Sequence, residues 1–285
     1  MKKFLIGVSL LLLTSGCSIT DEFSDNYLYT TMYPIEYAAQ SLYGDYAKIE
    51  SVYPNGADNT YMVTDKKKNK YANGEYFIYS GVAKEAYLAK DLLNLNGEIK
   101  LIDASRYVPS DNGYESIWLD PSNFLKVCNN IKTSLIDYND NVYIKEDIEE
   151  KYKELNETIS ELDVKLYDIG KNGNYNTILV TNDVFTFLEK YNINVISIDP
   201  DNQNIDKAYA EAKKMIENKK ISYVFSLSNE TLTQTQEKFI NTNSLVKITI
   251  NDLFTISDDE RDAEEDYITL MNKIIENYKK ELYKK

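Results

Sequence analysis

The sequence contains no histidine, and this absence restricts the chemistry more than any other feature of the composition. Without an imidazole the chain cannot form a Ser-His-Asp or Cys-His catalytic arrangement. It also cannot form a zinc site that combines imidazole and thiolate ligands. A glycine-rich loop of the kind that holds phosphate is missing as well. These absences argue against an enzyme.

Cysteine is also scarce, since Cys17 and Cys128 are the whole complement. Cys17 follows small residues near the N-terminus, where we expect it to be modified. Cys128 shares one face of a predicted helix with Phe124, Ile131 and Leu135, and this spacing places it in the core. An intrachain disulfide is therefore not expected.

Basic residues are too few to balance the acidic ones. Lysine and arginine number 32, aspartate and glutamate number 46, and the formal net charge is -14. Such a charge repels nucleic acid and anionic lipid headgroups. We expect no nucleic-acid partner, and any membrane contact should come from a lipid anchor.

The N-terminus has the parts of an export signal. Two lysines precede an apolar run at residues 4–13, and small residues then lead to Cys17. The run is shorter than the about twenty residues that a membrane-spanning helix needs. The arrangement resembles the lipobox of bacterial lipoproteins, although Thr14 stands where leucine is common. We therefore predict a signal peptide at residues 1–16 and an acylated tether at 17–26, on the extracellular face of a bacterial cell membrane.

The strongest helical pattern lies at residues 144–169. Its apolar positions alternate spacings of four and three, at Ile148, Tyr152, Leu155, Ile159, Leu162, Leu166 and Ile169. This stripe predicts a helix of roughly seven turns, which Gly170 can end. Because the stripe is shorter than four heptads, we prefer a rigid connecting helix at 141–170 to a coiled coil.

Strands and helices alternate on both sides of this helix, which is typical of parallel sheets. We predict an N-terminal α/β lobe at residues 27–140 and a C-terminal α/β lobe at 171–285. The fold class is thus α/β, with two small α/β sandwich lobes joined by one long rigid helix. The predicted strands are 26–32, 46–53, 75–79, 99–104, 177–181, 195–198, 221–227 and 245–253, and a closing helix is predicted at 259–283.

Four short motifs occur in a fixed order along the chain. They are Gly56-Ala57-Asp58 after the second strand, residues 116–121 (SIWLDP) before a helix, residues 180–185 (VTNDVF) at a strand end, and residues 265–271 (EDYITLM) in the last helix. With the signal, the lipid cysteine and the long helix, this set resembles the metal-binding substrate-binding lipoproteins of zinc and manganese ABC importers. The resemblance implies a monomer that holds a ligand between its lobes and delivers it to a membrane permease.

The residues at the family's ligand positions differ from the family pattern. Where the family places imidazoles in two loops and at a strand end, this chain has Thr60, Ser116 and Asn182. The late carboxylate or imidazole position falls on Asn251 or Asp252. The resemblance therefore implies a site of oxygen donors rather than imidazoles.

Oxygen donors favour a hard divalent ion such as calcium, magnesium or manganese. Four further carboxylates stand at loops or strand ends and are secondary candidates: Asp58, Glu115, Asp183 and Glu230. We expect a divalent metal ion as the cargo and no other cofactor.

Two alternatives remain open. Neutral hydrogen-bonding groups in the cleft, with stacking faces from the 25 tyrosines, would suit a small organic solute. A surface lipoprotein that kept the fold but lost ligand capture would instead serve adhesion or another protein contact. The first hypothesis remains an extracellular, lipid-anchored receptor of an ABC importer.

Overall fold

The protein is described by a computed structural model that covers residues 26–82, 84–110 and 113–285. The predicted signal peptide, Cys17 and all of the tether except Asn26 lie outside the described residues. In the described part of the chain, no helix combines the length and the apolar character that crossing a membrane requires.

The first lobe is built on a parallel sheet of four strands in the order β2-β1-β3-β4. Its elements are β1 (Tyr27–Thr30), α1 (Tyr33–Tyr43), β2 (Lys48–Ser51), α2 (Asp65–Tyr71), β3 (Tyr76–Tyr79), α3 (Glu85–Leu95), β4 (Lys100–Asp103), α4 (Ser116–Leu119) and α5 (Pro121–Tyr138). In the register of the sheet, Leu28 lies between Ile49 and Tyr76. The order of strands and helices therefore agrees with the order predicted from the sequence. The short helix α4 was not predicted.

The connecting helix is α6 (Val142–Asn172), which has 31 residues. Its predicted stripe is buried at every position except Tyr152, which is partly buried. The helix packs against α5 of the first lobe and against the C-terminal helix of the chain. The 3.6-residue period of the apolar positions therefore gives one element that contacts both lobes.

Gly170 does not end this helix, and that prediction is wrong. The helix continues to Asn172, and Gly173 follows it in extended conformation. A Cβ atom at Gly170 would lie 1.8 Å from the backbone oxygen of Tyr191. Glycine is required here because the next segment passes against the helix, a tertiary contact that local sequence does not encode.

The second lobe repeats the topology of the first, with a parallel sheet in the order β6-β5-β7-β8. Its elements are β5 (Thr177–Val180), a 3₁₀ helix (Asp183–Tyr191), β6 (Asn194–Ser197), α7 (Ile205–Glu217), β7 (Tyr223–Leu227), α8 (Gln234–Thr242), β8 (Val246–Ile250), α9 (Asp258–Asp262) and α10 (Tyr267–Leu282).

The closing helix predicted at 259–283 is interrupted. Glu264 has a φ of 55°, which stops α9, and Asp266 then caps α10 through a reciprocal capping box with Thr269. The capping signal of aspartate three residues before threonine was present in the sequence, but the apolar period of α10 concealed the break.

One apolar core runs through both lobes and around α6. It contains Cys128, which is fully buried as predicted and is a free thiol. A smaller core between the second sheet and α7 and α8 includes Leu179, Ala212 and Ile240. The shared core packs the lobes directly on one another beside α6.

Candidate functional site

Segments that follow strands in the two lobes meet at one place, which we call the interlobe junction. The amide of Tyr33, just after β1, donates to the carbonyl of Phe254, after β8, at 3.0 Å. The Asn229 side-chain amide, after β7, donates to Glu115 Oε1 at 3.0 Å. In parallel sheets the carboxyl ends of the strands form the usual ligand-binding edge. The junction is therefore the expected position for a cleft site.

Glu115 and Asp252 bring one carboxylate from each lobe to the junction, and each residue is 8% exposed. Burial chiefly raises the pKa of Asp252, and the negative charge of Glu115 raises it further. Among the described residues, neither carboxylate forms an ion pair with a lysine or arginine. The junction is thus an acidic, poorly hydrated place that favours a cation.

Glu230 adds a third carboxylate at half-buried depth. Its Oε2 accepts hydrogen bonds from the Thr181 hydroxyl at 2.6 Å and from the Leu227 amide at 3.2 Å. Burial raises the pKa of Glu230, and the charges of Asp199 and Glu115 add to the increase. The pKa of Glu230 is therefore raised by a charge at the junction, although its Oε2 accepts hydrogen bonds from residues of the second lobe.

Thr60 and Ser116 bond within their own turns. Exposed Thr60 donates its hydroxyl to Asp58 Oδ1 at 2.5 Å, and its amide donates to the same oxygen at 2.8 Å. These bonds lower the pKa of Asp58 and shape the loop. Buried Ser116 donates to the carbonyl of Gly113 at 2.6 Å. Both hydroxyls thus have partners in the first lobe alone.

Asn182 and Asp183 lie at the start of the 3₁₀ helix. The Asn182 side-chain oxygen accepts from the amide of Val184 at 2.9 Å, so the residue is a helix cap. The amide of Asp183 donates to Asp199 Oδ2 at 3.0 Å. This geometry accounts for the polar residues at the strand end without a ligand.

Asn251 and Asp252 point in different directions. The Asn251 amide donates to Glu260 Oε1 at 2.8 Å in α9, and its oxygen accepts from Leu253. Asp252 Oδ1 accepts from the amide of Phe254 at 2.8 Å, and its charge interacts with that of Glu115. Of the two, Asp252 carries the carboxylate that lies at the junction.

The candidates do not form one hydrogen-bonded cluster. In the part of the chain that the structure describes, no hydrogen bond joins any two of the side chains of Thr60, Ser116, Asn182 and Asp252. Nor do three or more acidic or thiol side chains within those residues converge closely enough to hold a metal ion. The observed arrangement is one buried carboxylate from each lobe at the interlobe junction, Glu115 and Asp252.

Residues missed by the sequence interpretation complete the junction. Ser228 Oγ accepts from the amide of Asp252 at 2.9 Å, and Asn229 orients Glu115. Both residues directly precede Glu230 after a buried strand. Polar residues at that position could have been identified from the sequence as candidate site residues. A cavity of about 280 Å³ opens beside the junction, and its lining includes Tyr114 and Phe254.

A known protein family matches most of the chain. The family model described as "Zinc-uptake complex component A periplasmic" (ZnuA) matches residues 28–281. No curated protein sequence matches the chain. The family match spans both sheets and the connecting helix.

Solved structures share the two-lobe fold at low sequence identity. The Zn(II)-bound ZnuA-like domain of AdcA from Streptococcus pneumoniae is 22% identical, with a TM-score of 0.71 over 91% of this chain and 99% of that chain. The metal-dependent lipoprotein YcdH from Bacillus subtilis is 18% identical, with a TM-score of 0.72 over 90% and 99%. A ZnuA structure is 17% identical, with a TM-score of 0.70 over 90% and 100%. These similarities establish the fold.

Proposed function

Because the chain belongs to the zinc-uptake complex component A (ZnuA) family over residues 28–281, we propose that it is the receptor of an ABC importer whose cargo is a hard divalent metal ion. Proteins of this family are substrate-binding receptors and not enzymes. The receptor would pass its cargo to the membrane permease of the importer.

The placement of two buried carboxylates, Glu115 and Asp252, at the junction carries this proposal. A cation between two buried carboxylates would offset their mutual repulsion and their lost hydration. Because the two residues belong to different lobes, the same ion would also hold the lobes together. Glu230 could add a third oxygen after a side-chain rotation away from Thr181.

The ligand chemistry favours manganese, calcium or magnesium over zinc. The chain has no imidazole, and its described thiol, Cys128, is buried in the core. Carboxylate, amide and hydroxyl oxygens are ligands for hard ions. We therefore propose that the metal specificity differs from that of a histidine-ligated zinc receptor.

The location of the receptor rests on the N-terminal sequence. We propose that acylation of Cys17 anchors a monomer to the extracellular face of a bacterial membrane. Replacing Cys17 with serine should release the protein from the membrane fraction, whereas replacing Cys128 with serine should leave it attached.

A second candidate function is adhesion or another protein contact without ligand capture. It is favoured by the direct bonds that tie the lobes together, such as Gly56 N to Ile256 O at 3.0 Å and the Thr255 hydroxyl to Ala57 O at 2.8 Å. The side chains of Thr60, Ser116 and Asn182 form hydrogen bonds within their own turns, which also favours a function without ligand capture.

Thermal unfolding distinguishes the two functions. The soluble protein beginning at Ser18 is stripped with a chelator and scanned with manganese, calcium, magnesium, zinc or no metal. An ion at a hundred times its dissociation constant should add about 2.7 kcal/mol to the free energy of unfolding, a shift of several degrees. The largest shift is expected from a hard ion.

Variants test the location of the metal. Glu115→Gln and Asp252→Asn should each remove most of the shift, while Glu157→Gln, on the exposed face of α6, should keep it. If no metal moves the transition of the unmodified protein, the metal proposal fails and the protein-contact function is favoured.

A further inference from the structure

We propose that the first lobe contains a separate ligand site at Glu85 that binds a small organic ammonium ion. The site is distinct from the carboxylate pair at the junction. The proposal does not depend on whether that pair binds a metal.

Glu85 has an unsatisfied oxygen in the protein interior. The residue begins α3 and is 1% exposed. Its Oε1 accepts from the Tyr53 hydroxyl at 2.7 Å. Its Oε2 is buried and has no hydrogen-bond partner among the described residues. Leaving a buried carboxylate oxygen without a donor is costly, and a ligand N–H group could supply the missing donor.

This carboxylate lines two neighbouring cavities. One of about 280 Å³ has mainly aromatic and aliphatic walls, including Tyr53, Tyr61, Val63 and Leu88. The other, also of about 280 Å³, shares Lys84 and Glu85 with it and extends toward the junction. Pockets close to this size with few polar groups are typical of small-molecule sites. Glu85 therefore lies where a polar head group would meet an apolar body.

The mouth of the first cavity is also apolar. Met62 and Tyr87 line the cavity, although they are 76% and 78% exposed. Exposed apolar side chains around a concave surface are a feature of ligand sites. The hydrocarbon part of a ligand can cover them.

The two lysines that line the first cavity have other partners. Lys84 Nζ already donates to the backbone carbonyls of Asn59 and Tyr61. Lys68, the other lysine of the lining, pairs with Asp91 at 2.7 Å. Neither lysine is paired with Glu85, so a ligand ammonium group would supply the cation that this carboxylate lacks.

A bare metal ion fits this site less well than an ammonium ion. Glu85 provides a single unpartnered oxygen, while a hard divalent ion takes six or more oxygen ligands. Tyr53 and Tyr61, whose rings meet edge to face at 6.0 Å between centroids, instead offer apolar area to the hydrocarbon part of an organic cation.

The test uses 2-phenylethylamine and n-hexylamine as probes, with 2-phenylethanol as the neutral counterpart of the first. Binding to the soluble protein beginning at Ser18 is measured by calorimetry and by ligand-observed NMR. We expect at least one amine to bind with a Kd of about 1 mM or lower. The alcohol and the Glu85→Gln variant should each weaken binding at least tenfold.

Two variants are used so that a loss of amine binding is not mistaken for a loss of folding. Glu85→Gln keeps the side-chain shape and an acceptor for Tyr53, and Val63→Phe fills the cavity from a partly exposed wall. Circular dichroism must show both variants folded, and both should lose amine binding. Binding that neither variant changes, or no amine binding at that level to the unmodified protein, overturns the inference.

The manganese-induced shift in unfolding is recorded on the same samples of unmodified protein. Loss of the amine result with the metal shift intact defeats this inference alone. The opposite pattern defeats the metal proposal alone.

Discussion

The indole N–H of Trp118 donates a 2.7 Å hydrogen bond to the backbone carbonyl of Asp252. This contact joins α4 of the first lobe to the loop after β8 in the second. The hydroxyl of Tyr267, in α10, donates in turn to the carbonyl of Trp118 at 2.6 Å. Because Trp118 is 1% exposed, these bonds are shielded from water. Trp118 therefore positions the loop that carries the Asp252 carboxylate.

Replacing Trp118 with phenylalanine should destabilise the protein. The change leaves the Asp252 carbonyl without its donor in a buried place, which costs about 1–3 kcal/mol, and it also leaves a cavity. The measurement is denaturant unfolding compared with that of Tyr143→Phe, a change at a residue that is 81% exposed. Equal stability of the two variants would contradict the assigned role.

Replacing Gly170 with alanine should lower the free energy of unfolding by about 1–3 kcal/mol. The added Cβ would meet the Tyr191 carbonyl at 1.8 Å, so α6 or the 3₁₀ helix must shift. Gly97→Ala is the matched control, since a Cβ there has no neighbour within 4 Å. The expected order of melting temperatures is unmodified protein close to Gly97→Ala, with Gly170→Ala far below.

The pH dependence of stability should show the raised pKa of Asp252. Burial raises this pKa above the ordinary value of 3.8, so the folded state holds the proton more tightly than the unfolded state. The resulting stabilisation is fully present below the pKa that Asp252 has in the unfolded chain. It is lost as the pH rises through the pKa that Asp252 has in the folded protein. Glu230, whose pKa burial also raises, contributes with the same sign.

Asp252→Asn removes this titration while keeping an acceptor for the amide of Phe254. In chelated samples, the melting temperature of the variant minus that of the unmodified protein should therefore increase from about pH 4 to about pH 8. A difference that is constant or decreases with pH would show that the carboxylate is not buried as described.

The thiol of Cys128 should be unreactive in the folded protein. It is fully buried, and burial raises its pKa, so the nucleophilic thiolate is disfavoured. With the protein beginning at Ser18, a maleimide reagent should label no thiol under native conditions and one thiol in denaturant. Rapid native labelling would mean that α5 opens readily.

Local patterns in the sequence predicted most of the architecture. The stripe from Ile148 to Ile169 determines a long helix because its spacing matches the helical repeat, and the spacing of Phe124 and Cys128 determines a buried face. The alternating strands follow from an equally local rule. The sequence also excluded imidazole chemistry outright, because histidine is absent.

The site depended on distant parts of the chain. Glu115 and Asp252 reach the same junction, and Glu85 bonds to Tyr53, only because parallel strands and α6 bring separate segments together. The same packing explains why Gly170 lies inside a helix rather than at its end. Periodicity reports which face of an element is apolar, but the charge balance and hydration of a buried carboxylate are set by whatever the tertiary structure places beside it.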